Sequence, residues 1–310
     1  METYTTQTSI FNSLFRNNSN EIRLIWIFIV IPVYLVAAIV LNRLIFVLVR
    51  AFFYIAEGYP STLAFEQAQT QIMTLGSQVV LCTFDAFLVV LLVLLLTKVE
   101  KREFQWSALG LALNSRNLCF FVLGLIFGFI FTYLTTGLGL ILGLIQLQPL
   151  KLEEFFISVN VEFLILFFIW SMLNGFWQEL IFRGYLQTRV VERINTTVGI
   201  LTVTIYFVLI HFIDRQLTLS WILAGTLLFI LISLLFYHTK SLYLVAAMHG
   251  MINYLDQVIE LIGLEWISPI SVYRMKDIVI LGLILGFYLL ISFIITKIRL
   301  KNQVNLVVEF

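Results

Sequence analysis

The residues able to do chemistry in this chain stand in three short signatures within its most apolar half. They are Gln178-Glu179-Leu180-Ile181-Phe182-Arg183, then Phe207 and His211, then His249 and Asn253. In each, a polar residue follows an earlier member by four positions, a spacing that puts both on one face of a helix. A carboxylate and a neutral imidazole can share a water and remove its proton. A second imidazole and an amide N–H can hydrogen-bond a developing oxyanion, most effectively in a dry site. Glu179, His211, His249 and Asn253 supply that set, which is what peptide hydrolysis needs. Alternatively, Glu179, His211 and His249 could hold a Zn²⁺ ion with an open position. Arg183, one turn after Glu179, would fix that carboxylate as an i,i+4 ion pair. An ionisable side chain at mid-bilayer costs roughly 2.5–3.5 kcal/mol on the insertion scale, so collecting several in apolar sequence argues that they are used.

The elements that must position these groups are membrane spans. The chain has 310 residues, 61% of them hydrophobic and only 12% charged, and its mean hydropathy is +1.00. No soluble domain of this size reads that way. A span needs about 20 apolar residues, and eight stretches qualify: 24–41, 75–97, 118–145, 155–177, 197–213, 217–237, 242–262 and 278–295. The expectation is an all-α polytopic membrane bundle of about eight transmembrane helices. Residues 1–21 are polar, and the run that follows is too long for a signal core and lacks a small-residue cleavage site, so it reads as a retained first span. The stretch 50–74 reads as an interfacial helix or loop. The stretch 98–116 reads as a charged hinge with Trp106 at headgroup level. Residues 179–193 read as an amphipathic extension of the fourth helix out of the membrane.

Eight spans place both termini on one side, with Arg16, Arg23, Lys98, Lys101, Arg102, Arg116, Arg189, Arg193, Lys240, Lys297, Arg299 and Lys301. The other side holds Arg43, Arg50, Lys151, Arg215, Arg274 and Lys276. The positive-inside rule assigns the first side, and both termini, to the cytoplasm. A net charge of +1 points to no polyanionic partner and to no nucleic acid. Cys82 and Cys119 read as small buried hydrophobes, not as a disulfide or metal site. Asp85, inside the second span, reads as a buried hydrogen-bonding partner of Ser77 or Thr83. Asp214-Arg215 reads as a loop pair, and Glu153 and Glu154 as solvated groups near a span end.

The three signatures resemble those of the CPBP family: CAAX endopeptidases and bacteriocin-processing or -protecting enzymes, also called Abi proteins. Its pattern is Glu-Glu-x-x-x-Arg, Phe-x-x-x-His and His-x-x-x-Asn. The matching text is Glu179-Leu180-Ile181-Phe182-Arg183-Gly184-Tyr185-Leu186, Phe207-Val208-Leu209-Ile210-His211 and His249-Gly250-Met251-Ile252-Asn253. The resemblance implies an intramembrane endopeptidase core at 155–262. It leaves 1–21 as a cytoplasmic segment, 22–154 as three preceding spans and 263–310 as a last span and tail. It implies a peptide or protein substrate, prenylated or apolar near its cleavage point, reached from the cytoplasmic leaflet within membrane lipid. By resemblance, position 178 is the water-activating base, Glu179 supports water or metal, Arg183 orients it, His211 shares the water, and His249 and Asn253 hold the oxyanion.

One residue departs from the pattern. Gln178 stands where the family has its first glutamate, and glutamine takes no proton at neutral pH. Three readings stay open: an introduced change, a silent member that binds or protects, or Glu179 acting as the base.

Overall fold

The computed structural model describes residues 23–141, 143, 145–147, 161–211, 219–262 and 264–266, with helical positions at 282–283, 286–287, 290–291 and 293–294. The N-terminal segment 1–21, Glu153 and Glu154, Asp214 and Arg215, and most of the 278–295 stretch lie outside the described residues. The described helices are α1 (Leu24–Ala56), α2 (Ser61–Gln71), α3 (Leu75–Val99), α4 (Ser115–Ile141), α5 (Val161–Arg193), α6 (Thr196–Ile210), α7 (Leu219–Thr239) and α8 (Leu242–Leu261). The fold is the expected all-α bundle of an integral membrane protein. Helices α1, α3, α4 and α5 are long and apolar enough to cross a membrane, while Thr196–Ile210 and Gly225–Thr239 are shorter apolar helices. Large side chains such as Val33, Phe52, Phe87 and Tyr133 face outward, each more than 60% exposed. An apolar exterior of this extent suits lipid and not water.

Two elements of secondary structure depart from the sequence reading. A short antiparallel ladder joins β1 (Ile145–Leu147) to β2 (Leu264–Trp266), pairing Ile145 with Trp266 and Leu147 with Leu264. It ties the end of α4 to the end of α8, and α4 stops at Ile141 instead of running to 145. The second departure lies in α5. Residues Leu180–Gln187 are wound as π-helix, and all eight are buried. They form core, not an amphipathic extension. π-Turns recur at functional sites because the extra residue per turn re-aims side chains.

Within the bundle, α8 packs on α4 and α5, α3 on α5, and α6 on α7. Without a hydrophobic drive between helices in lipid, close packing depends on small residues. At the α5–α8 crossing a Cβ on Gly175 would stand 2.7 Å from the Gly250 nitrogen and 2.9 Å from the Ala246 carbonyl oxygen. Only glycine permits that approach, and it carries Glu179, one turn on in α5, against His249. Helix α1 is held by a different device. Pro32 has no N–H, so the Phe28 carbonyl loses its helical partner. The Tyr206 hydroxyl of α6 donates to that carbonyl at 2.6 Å, and the two rings pack edge to face at 5.1 Å.

The expected hinge, 98–116, caps one end of the bundle. Gly110, at φ +78°, accepts at its carbonyl from the Leu242 amide, 3.0 Å away, and Trp106 is exposed against Phe104. Beneath it Glu100 is buried between two cations: Arg189 Nε at 2.7 Å and Arg193 Nη2 at 2.6 Å. This cluster fixes the end of α3 to the end of α5, so those two helices run parallel. At the other end α2 folds back on α1 through buried Ala64 and Ala68. The cysteines are both free, but Cys119 is exposed on the outer face where burial was expected; only Cys82 is buried.

Candidate active site

The three signatures converge, but they divide into two layers. The inner layer is a closed ionic network. Glu179 and Arg183 are fully buried, with Arg183 Nη1 3.1 Å from Glu179 Oε1. His249 Nδ1 lies 2.8 Å from the same oxygen. An ionised carboxylate only accepts, so the His249 proton sits on Nδ1 in this contact. The other two guanidinium nitrogens turn to α7: Nε reaches Ser233 Oγ at 3.4 Å and Nη2 the Phe229 carbonyl at 3.3 Å. The Arg183 guanidinium also lies over the Phe207 ring at 4.5 Å. A desolvated cation gains about 2 kcal/mol from such a face. Gln187 Nε2 donates to the Ser233 carbonyl at 2.8 Å, extending the lock by one turn.

The outer layer lines a cavity of about 670 Å³. Gln178, His211 and Asn253 all face it, with Phe182 and Phe207 beside them. His211 ends α6, where its Nδ1 stands 2.8 Å from the Phe207 carbonyl; with the proton donated there, Nε2 is the basic nitrogen. Gln178 Nε2 donates to Asn174 Oδ1 at 2.9 Å, and Asn253 Nδ2 approaches the same oxygen at 3.4 Å. Asn174 therefore bridges the first and third signatures. The sequence reading missed it, although an asparagine one turn before Gln178 in an apolar span was a signal. Two acceptors, Gln178 Oε1 and Glu179 Oε2, are buried with no hydrogen-bond partner among the described residues. Buried acceptors of this kind call for a donor; of the two, only Gln178 lines the cavity, where a substrate N–H would reach it. The cavity extends past Gln78, three residues into α3, and past the exposed Asp256 and Gln257 near the end of α8. Its mouth thus lies at the α2 end, away from Glu100.

The residues do not fit a zinc site. Among the described residues no three carboxylate, imidazole or thiolate side chains form a metal-binding group. The Phe207 ring contacts both imidazoles, 4.8 Å from His211 and 6.0 Å from His249, and Phe229 does the same at 6.1 and 5.9 Å. Glu179 Oε1 is already shared by two donors. Asp85 is buried as expected, but its partners differ: Asn42 and Arg43 of α1, while Ser77 bonds Thr74 and Thr83 its own helix.

Residues 160–255 match the family described as type II CAAX prenyl endopeptidase Rce1-like. That stretch runs from α5 into α8 and contains all three signatures. No curated protein and no solved structure matches the chain.

Proposed function

We propose that this chain, which carries an Rce1-like type II CAAX prenyl endopeptidase domain over residues 160–255, presents an intramembrane peptide-hydrolysis site whose base position is filled by Gln178, so that hydrolysis is impaired as the chain stands. The observation that carries this reading is the common cavity of Gln178, His211 and Asn253. These are the groups that would handle water and oxyanion, converging from three helices. A scissile carbonyl in the cavity takes the attacking water from between position 178 and His211 Nε2. The developing oxyanion receives the Asn253 amide N–H. Glu179 and Arg183 hold His249 and the π-turn in place. The cysteine of a C-terminal Cys-a-a-X sequence is the site of prenylation. The apolar walls of Leu35, Val36, Ile39 and Val40 suit such an apolar substrate.

A second reading is favoured by one observation. Glu179 is fully buried and committed to Arg183 and His249, so no motif carboxylate faces the cavity. The chain as written then binds a peptide without cutting it, as a scaffold or immunity protein. The experiment compares this chain with Q178E in liposomes against apolar C-terminal peptides. A positioned general base contributes roughly 10²–10⁴-fold, and a gain of that size in Q178E supports the disabled protease. Equal cleavage by both makes Glu179 the base. Silence in both, with peptide bound, establishes the binding role.

A further inference from the structure

The cavity wall opposite the motif residues carries a polar cluster for which hydrolysis has no use. Helices α1 and α3 meet there. Asn42 Nδ2 donates to Asp85 Oδ1 at 2.8 Å and to the Leu81 carbonyl at 3.0 Å. Arg43 is held more loosely: its Nη1 reaches the Ile39 carbonyl at 3.3 Å and Asp85 Oδ2 at 3.5 Å. Its Nη2 and Nε make no hydrogen bond among the described residues, and the side chain is 38% exposed where it lines the cavity. Arg183 shows what a purely structural guanidinium looks like in this bundle: fully buried, with every nitrogen engaged. Arg43 instead presents part of its fork to the cavity, and that planar fork matches a carboxylate bidentately.

The height of Arg43 in the bundle is informative. Cys82 Sγ lies 3.9 Å from the Trp170 carbonyl, and α3 and α5 run parallel. Asp85 is therefore level with residue 173, about 8 Å before Gln178 at 1.5 Å per residue. An extended chain advances about 3.3–3.6 Å per residue, so two or three residues bridge that offset.

We infer that Arg43 receives the free C-terminal carboxylate of the peptide substrate and so sets the scissile bond two or three residues upstream, at Gln178 and His211. This rests on the proteolytic reading of the cavity. Asp85 and Asp256 also line the wall, so an incoming carboxylate competes with Asp85 for the guanidinium. That competition gives the two partners opposite signatures. Loss of Arg43 weakens binding of a free acid, whereas loss of the Asp85 charge strengthens it. A mere strut between α1 and α3 would weaken in both cases.

The test measures binding of one fluorescent apolar heptapeptide, as free acid and as C-terminal amide, to the full chain in nanodiscs. The chain as written should prefer the acid by about tenfold or more, in line with a charge-assisted bidentate contact. R43Q should bring the acid down to the affinity of the amide, R43K should recover part of the difference, and D85N should tighten the acid several-fold. In a Q178E background that cleaves, R43Q should raise KM for the acid peptide and scatter the cut position. Equal binding of acid and amide by the chain as written overturns the carboxylate site, as does parallel weakening in R43Q and D85N. Acid preference that follows Arg43 while Q178E stays silent leaves the docking site standing and removes the protease reading. Cleavage by Q178E without acid preference does the reverse.

Discussion

Glu179 and His249 meet through a single oxygen, Oε1, at 2.8 Å, and Arg183 shares that oxygen at 3.1 Å. The carboxylate thus serves as a junction between the first and third signatures. Removing its charge strands a fully buried guanidinium.

Glu179→Gln should therefore destabilise the bundle by about 3–5 kcal/mol, the usual cost of breaking a buried pair from one side. The double variant with Arg183→Met should be less damaged than E179Q alone. Thermal unfolding in detergent, followed by tryptophan fluorescence, measures both. A double variant worse than the single would mean that the network does not act as a pair.

Tyr206→Phe removes the donor to the Phe28 carbonyl. A buried acceptor left alone costs about 1–3 kcal/mol, so the midpoint should fall. The loss should shrink when Pro32 is also replaced by alanine, because residue 32 then supplies the missing helical N–H. Additive effects in this cycle would disprove the repair role assigned to Tyr206.

Gly175→Ala forces a methyl group against the Gly250 backbone. Overpacking of this kind costs about 1–3 kcal/mol, and Glu179 should be pushed off His249. The expected outcome is a lower unfolding midpoint together with lost peptide binding. Gly137→Ala is the control, since nothing lies within 4 Å of a Cβ there.

Single-cysteine labelling decides which membrane face carries the mouth. On a background lacking Cys82 and Cys119, Arg193→Cys should react from the cytoplasmic side and Gln257→Cys from the opposite side. The positive-inside count underlies that expectation. The reverse pattern would place the cavity mouth in the cytoplasm, the side from which the substrate is expected to arrive.

Much of this arrangement was legible from residue spacing. Four-residue intervals put Glu179 beside Arg183 and Phe207 beside His211, and the structure joins each pair. The division into two layers was not legible. It depends on which way each residue turns around α5, and the π-turn from Leu180 to Gln187 resets that phase without any compositional mark. The partners of Asp85 were misjudged because only neighbours on its own helix were considered, whereas Asn42 and Arg43 come from 43 and 42 residues away. Asn174, Phe229 and Ser233 carry no motif, so their roles emerge only when α5, α7 and α8 are packed. The β1–β2 ladder involves three residues on each side, too few to show a strand period.

The seam at Gly175 and Gly250 also decides where the molecule can yield. Two backbones already touching cannot come closer, and parting them would pull His249 from Glu179. The facing wall is α1, whose apolar window is only 17% buried, against 44% for α3. Accommodation of a bulky guest therefore falls to α1, which is tied to its neighbours at Phe28 by Tyr206 and at Asn42 and Arg43 by Asp85.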